Sequence, residues 1–283
     1  MFACLQVLPR EMSPLARVRA KYHPAPPRLA RVNLPAGAPF FCLEVHAGKS
    51  GVPWDAVERA AGRLRTRILP PVGVCLPPPV QLAKGREIAG LRVFEPKRLP
   101  AFLSLRAAQQ VLRGCETPAR DLSVALVDPK GLFARALEPL VPLTGSLRVY
   151  CPDFSLYRAA AALLLERYGA TLILSDSPAC FAHSDIVVAP ELSLCAGHER
   201  GLVFSQDVAA SPSCRVVRGV DPILPAAIEK LRPPGIDRML FACALFELCG
   251  AKDPELLRFD AFCLGVSEER YSIAELAALV DRK

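Results

Sequence analysis

The chain lacks the short motifs that most often declare a chemistry. Its eleven cysteines stand at 4, 42, 75, 115, 151, 180, 195, 214, 243, 249 and 263. They never form a C-x-x-C pair, so a zinc ribbon and a dithiol redox motif have no support. No G-x-G-x-x-G occurs anywhere, which removes the usual cradle for a pyrophosphate. No apolar run approaches the roughly 20 residues of a membrane span. Met1–Leu8 is too short, and too soon interrupted by Arg10, for a signal peptide. No internal repeat is visible. Most of the cysteines lie in apolar runs such as Phe41-Cys42-Leu43 and Phe241-Ala242-Cys243-Ala244, where the thiol behaves as a small buried hydrophobe. So many scattered thiols, odd in number, belong in a reducing compartment, and a cytoplasmic location is expected with no disulfide in the fold.

Hydrophobic residues make up 52% of the 283 and charged residues 22%, enough apolar side chain for a full core. The net charge of +7 is unevenly placed. Residues 1–33 hold Arg10, Arg17, Arg19, Lys21, Arg28 and Arg31 against Glu11 alone, and the remainder is nearly balanced. Such a distribution describes a solvated basic arm rather than a nucleic-acid surface. Sixteen of the 28 prolines precede Asp121, so the first part of the chain is the more broken one. Phe2–Leu8, Phe40–Val45 and Ile88–Phe94 read as strands there, and Trp54–Ile68 and Leu99–Leu112 as helices. The segment 116–120 reads as a boundary, giving a small α+β module over 1–118 and a second domain over 119–283.

The second domain carries the clearest pattern. Ser123–Val127, Leu147–Tyr150, Thr171–Leu174 and Ile186–Ala189 are short apolar runs with helical segments between them, the alternation of a parallel sheet with crossover helices. Helix Phe154–Tyr168 has Asp153 as its cap and Gly169 where a left-handed terminus is wanted. Strands at Leu202–Phe204 and Arg215–Val217 follow, then helices over Pro225–Leu231 and Ile236–Leu248. A last helix opens with Ser272 and Glu275 at capping-box spacing. The expected fold is α/β, a Rossmann-like, mainly parallel sheet with flanking helices.

In such a sheet ligands bind outside the carboxyl ends of the strands, where strand order reverses. Those ends are 128–131, 151–154, 175–178 and 189–192. They offer Asp128, Lys130, Gly131, Asp153, Ser175 and Asp176 as candidate cofactor-binding residues. Lys130 beside Gly131, at the start of a helix, suits an anion, because free backbone amides and the helix dipole add to its charge. Pairing of Asp128 with Lys130 across a tight turn is the structural alternative. Asp153 lies where an acidic side chain reaches ribose hydroxyls, and a helix cap is equally its role. Three other motifs carry less. Ala47-Gly48-Lys49-Ser50 ends like a phosphate loop, but Leu43 stands where the leading glycine should be. His183-Ser184-Asp185 contains triad residue types, but adjacent side chains do not form a relay. Cys195 and His198 are two ligand types where a metal site needs three or four.

The segment Phe181–Pro190, with His183-Ser184-Asp185-Ile186-Val187-Val188, resembles a turn in NAD(P)-binding domains of the shikimate and methylenetetrahydrofolate dehydrogenase type. That turn is a short helix, Ala-Asp-Ile-Val-Val and a small residue. The resemblance spans roughly residues 121–250 and implies NAD(P) at the strand ends. The catalytic Lys–Asp pattern of the shikimate enzymes has no counterpart here, so it assigns no catalytic residue. Two readings follow. The missing glycines favour a small-ligand or partner-binding module without the usual dinucleotide chemistry. The resemblance favours an NAD(P)-dependent oxidoreductase with a divergent phosphate loop. Either reading leaves room for a small molecule, a protein partner or a second copy of the chain, and for neither nucleic acid nor membrane.

Overall fold

Two sheets organise the chain. The computed structural model describes residues 1–8, 27–35, 39–47, 52–65, 72–77, 80, 87–96, 98–190, 198, 201–206, 215–249, 258–265 and 269–282. The chain divides into two compact units, residues 1–96 with 224–256 and residues 97–223 with 257–283. Relative to the boundary expected at 118/119, the first unit ends earlier and regains a late segment. The basic arm at 9–26 and the Gly48-Lys49-Ser50 motif lie outside the described residues.

In the first unit, strands β1 (Ala3–Leu8), β2 (Arg28–Val32), β3 (Phe40–His46), β4 (Gly73–Cys75), β5 (Glu87–Ile88) and β6 (Leu91–Val93) form one sheet in the order β2-β3-β1-β4-β6-β5. The central pairs β3–β1, β1–β4 and β4–β6 are parallel, and β2 and β5 add antiparallel edges. The single strand expected at Ile88–Phe94 is a tight hairpin, because Ala89 and Gly90 both take positive φ, 48° and 79°. Helix α1 (Trp54–Arg65) buries Val57, Ala61 and Leu64 against Leu5 and Leu43, the face that its apolar spacing marked. Phe2 and Phe40 stack with ring centres 5.1 Å apart. Phe241, from helix α4 (Arg238–Cys249), meets both edge-on at 6.1 and 5.4 Å.

The second unit holds β7 (Ser123–Val127), β8 (Ser146–Tyr150), β9 (Leu172–Ser175), β10 (Ile186–Val188), β11 (Leu202–Phe204), β12 (Val216–Ile223), β13 (Arg258–Leu264) and β14 (Arg270–Tyr271). Their order is β14-β13-β12-β11-β10-β7-β8-β9. From β9 to β12 every pair is parallel, while β13 and β14 run antiparallel. Read along the chain, β7-β8-β9 extends one way and β10-β11-β12 the other. That is the 3-2-1-4-5-6 order of a doubly wound sheet. The fold is Rossmann-like α/β. Strand β7 sits at the reversal with Val124, Ala125, Leu126 and Val127 all buried, the continuous apolar run that a strand covered on both faces requires. Strand β12 runs six residues beyond Val217, and β13 and β14 were not expected. Charged and polar positions such as Arg218, Asp260 and Arg270 interrupt their apolar pattern.

Helix α2 (Leu99–Gly114) buries Leu103, Ala107, Ala108 and Val111 and packs across β10–β13 and against helix α5 (Ile273–Asp281). The expected capping box of α5 is complete: the Ser272 hydroxyl accepts from the Glu275 N–H, and the Glu275 carboxylate accepts from the Ser272 N–H. The helix expected over Phe154–Tyr168 is a 3₁₀ turn (Phe154–Tyr157) followed by α3 (Arg158–Tyr168), which crosses from β8 to β9 and ends at Gly169 with φ 62°. The connections from β7 to β8 and from β9 to β10 carry no α-helix. Turns and 3₁₀ helices replace it, at Glu138–Leu143 and Pro178–Phe181. Pro139, Pro142 and Pro178 each remove a helical N–H there.

The nine cysteines among the described residues are all outside disulfides, and seven are buried. Cys42, Cys4 and Cys75 lie side by side in register across β3, β1 and β4. Burial pushes the Cys42 thiol up to about 11, and the Cys4 and Cys243 thiols also rise because of burial. A thiol near 11 carries roughly a hundredfold less thiolate at neutral pH than an ordinary one. Iodoacetamide at neutral pH should therefore leave Cys4, Cys42 and Cys243 unmodified in the folded protein and label all three in urea. Peptide mass spectrometry reads the difference.

Candidate functional site

The reversal of strand order opens between β7 and β10, so the groups beyond Val127 and Val188 define the place to search for a ligand. The four strand-end loops do belong to adjacent parallel strands, though 191–192 lie outside the described residues. The loop after β7 differs from the expected one. Residues 129–136 form consecutive turns, not the first turn of a helix. Lys130 therefore stands at no helix N-terminus, and the dipole contribution to an anion site is absent there.

Asp128 is fully buried. One carboxylate oxygen accepts from the Phe133 N–H at 2.7 Å and from the Tyr157 hydroxyl, while Oδ1 has no partner. Tyr157, from the turn after β8, is itself fully buried. Burial first, and the Asp128 charge second, push its hydroxyl far above the usual phenol range, so it stays protonated and donates. Cys151 completes this interior group, its thiol donating to the Asp153 carbonyl at 3.2 Å and shifted up by burial. Asp128 is thus a tie between the β7 and β8 loops and offers no open face to a ligand. The Phe133 amide is taken up by its carboxylate.

The remaining expected residues are more open. Gly131 adopts φ 70°, and a Cβ there would meet Leu156 Cβ at 3.0 Å, so the turn needs glycine twice over. Lys130 is exposed. Asp153 is exposed and caps the 3₁₀ turn, accepting from the Ser155 N–H at 3.0 Å; the Ser155 side chain first and this N–H second hold its carboxyl below the usual range. The Ser175 hydroxyl accepts from the Ser177 N–H at 3.1 Å, closing a turn at the end of β9 beside exposed Asp176. Sheet order places β9 two strands from β7, so Ser175 and Asp176 stand away from the reversal while Gly131 and Asp128 adjoin it.

The opposite end of the sheet is also organised. The Asp185 carboxylate accepts from both the N–H and the hydroxyl of Ser123 at 2.8 Å, locking the start of β10 to the start of β7. Asp185 is therefore a structural clasp in the segment that resembled a dinucleotide turn. A cavity of about 320 Å³ lies at the amino ends of β8 and β9, lined by Thr144, Ser146, Leu164, Thr171 and Ile173 among others.

No family model matches the chain, and no curated protein matches it. Among solved structures it is similar to an L-tryptophan dehydrogenase from Nostoc punctiforme, with 14% identity and a TM-score of 0.32 over 99% of this chain and 80% of that one. It is also similar to a D-isomer specific 2-hydroxyacid dehydrogenase from Lactobacillus delbrueckii ssp. bulgaricus in its NAD-complexed form. Identity there is 9% and the TM-score 0.30, over 72% of this chain and 70% of that one. Both neighbours are dehydrogenases.

Sequence reasoning missed Tyr157, and it set His198 aside as one of two ligand types where a metal needs more. Tyr157 reads as one more position of a helix, and only the fold brings it to Asp128. His198 is buried with both ring nitrogens unpartnered and its ring 6.3 Å from that of Phe181. Burial lowers its pKa, so the ring is held neutral. Cys195 lies outside the described residues, and no cluster of three metal-ligating side chains occurs among those described.

The Tyr157–Asp128 bond makes a clear prediction. Tyr157→Phe removes a donor to a buried carboxylate and should cost about 1.5–3 kcal/mol at neutral pH. Because the folded state raises the phenol above its unfolded value near 10, that stabilisation is fully present below about pH 10 and is lost as the pH climbs further. Urea unfolding of both proteins from neutral to strongly alkaline pH should show the wild-type advantage shrinking only above about pH 10.

Proposed function

We propose that the second unit is a small-ligand or partner-binding module that does not hold a dinucleotide in the usual pose. The observation that carries this reading is Asp128. Where a dinucleotide fold presents glycines and a helix N-terminus to the pyrophosphate, this chain buries a carboxylate, ties one of its oxygens to the Phe133 amide and Tyr157, and continues into turns. A pyrophosphate there would meet negative charge and no available helix terminus. Gly131, Lys130 and Asp153 remain on the rim as groups that a smaller ligand would meet.

A second reading rests on a different observation. The strand order around β7 and β10 is that of dinucleotide-binding sheets, which favours an NAD(P)-dependent oxidoreductase whose cofactor phosphates sit outside the β7 turn.

Thermal shift with NAD, NADP and ADP, beside a library of small carboxylates and amino acids, separates the two. The first reading expects no stabilisation by the nucleotides even at millimolar concentration. A nucleotide at 100 times its dissociation constant adds about 2.7 kcal/mol, and a shift of that size would establish the second. For any small molecule that does stabilise the protein, Lys130→Ala should abolish the shift while the far-ultraviolet circular dichroism of the unliganded protein stays the same.

A further inference from the structure

We infer that the free edge of β9 is a homodimer interface, through antiparallel pairing of β9 with the β9 of a second copy. Four edges bound the two sheets among the described residues: β2, β5, β14 and β9. Edge strands present unpaired backbone donors and acceptors, and proteins that remain monomeric guard them with charge, proline or bulges. Three edges here are guarded. β2 carries Arg28 and Arg31, β5 carries Glu87, and β14 carries Arg270. β9 carries no charge and no proline.

Its surroundings are apolar as well. Ile173 on β9 is 44% exposed, and on helix α3 Leu165 is 60% and Tyr168 49% exposed. Phe154 and Leu156, in the turn before α3, are exposed too. These five account for most of the large exposed hydrophobic side chains among the described residues, and all lie in the stretch of chain from the end of β8 to β9. Exposed apolar side chains beside an unguarded edge mark an interaction surface.

The occupant follows from the order of side chains. The run Thr171-Leu172-Ile173-Leu174-Ser175 is a palindrome in residue character. Centred on Ile173, a two-fold axis sets Ile173 against its own mate, Leu172 against Leu174, and Thr171 against Ser175. Continuing outward, Asp176 meets Ala170, so no like charges face each other across the axis. An isologous contact demands this self-complementarity, and an unrelated partner strand does not. The Ser175 carbonyl accepts from the Cys151 N–H on the β8 side, so Leu172 and Leu174 direct their backbone groups outward to the incoming strand. The cavity of about 320 Å³ lined by Leu164 and Ile173 gives room beside the axis for side chains of the second copy.

Sedimentation of the full chain at about 100 µM, well above a micromolar dissociation constant, tests this directly. The wild type should run as a dimer. Ile173→Lys places two ammonium groups on the axis and should run as a monomer with the same far-ultraviolet circular dichroism. Val72→Lys, at an exposed apolar position in the first unit, should remain a dimer. Ile173→Cys gives a readout that does not depend on the lysine variant folding. With diamide, the two axial thiols lose two hydrogens to the azo group and should form a covalent dimer absent from the wild type. A monomeric wild type, a dimer that survives Ile173→Lys, or no cross-link in Ile173→Cys would overturn the proposal. A monomer that instead takes up unrelated strand peptides would place a heterologous partner on this edge.

Discussion

The buried carboxylate of Asp128 constrains everything around the carboxyl end of the sheet. It leaves β7 at the centre of the doubly wound order, where an unpaired charge in the interior would cost several kcal/mol. The chain answers that demand at one oxygen, with the Phe133 amide from the next turn and the Tyr157 hydroxyl from the turn after β8. The loop after β7 must therefore curl back on itself within five residues, and the chain after β8 must begin as a 3₁₀ turn to bring Tyr157 inward. Helix α3 starts only after that turn.

Much of the sheet was legible in advance because its strands are short apolar runs set between breaks, and β7, β10 and β11 are buried on both faces. β7 was expected at the residues it occupies, and β8, β9, β10 and β11 within one residue at either end. The Ser272–Glu275 capping box and the left-handed Gly169 were equally legible, since each depends on a residue and its near neighbours. The parallel pairing of β8 with β9 across α3 followed from the alternation alone. What escaped notice was contact between distant segments. β13 pairs with β12 across a long sequence gap, and its alternation is broken by charges. Residues 224–256 join the first unit, and no local signal announces a chain that crosses back.

The site shows the same division. Sequence pattern located the strand ends correctly, and the absence of glycines there had a physical counterpart in the carboxylate that fills the space. It assigned Asp128 the wrong circumstance, an open polar group, because burial of an aspartate depends on a tyrosine 29 residues away. The turn at 183–188, which resembled a dinucleotide-binding element, proves to hold its aspartate against Ser123 at the far end of the strands. A motif can keep its local shape while its polar residue serves the scaffold.

The discontinuous first unit bears on how the chain is made. Phe2 and Phe40 belong to its sheet, yet the aromatic ring that closes over them is Phe241. At synthesis rates of 5–20 residues per second, roughly 10–50 s pass between the appearance of Phe2 and that of Phe241. Throughout that interval the nascent first sheet shows its stacked rings to solvent, while the strands from β7 to β12 already have their parallel neighbours. The order of emergence thus leaves the first unit incomplete until residues 224–256 have been made, and the second until β13, β14 and α5 follow them. Until then the earliest-made strands present the kind of surface that chaperones hold.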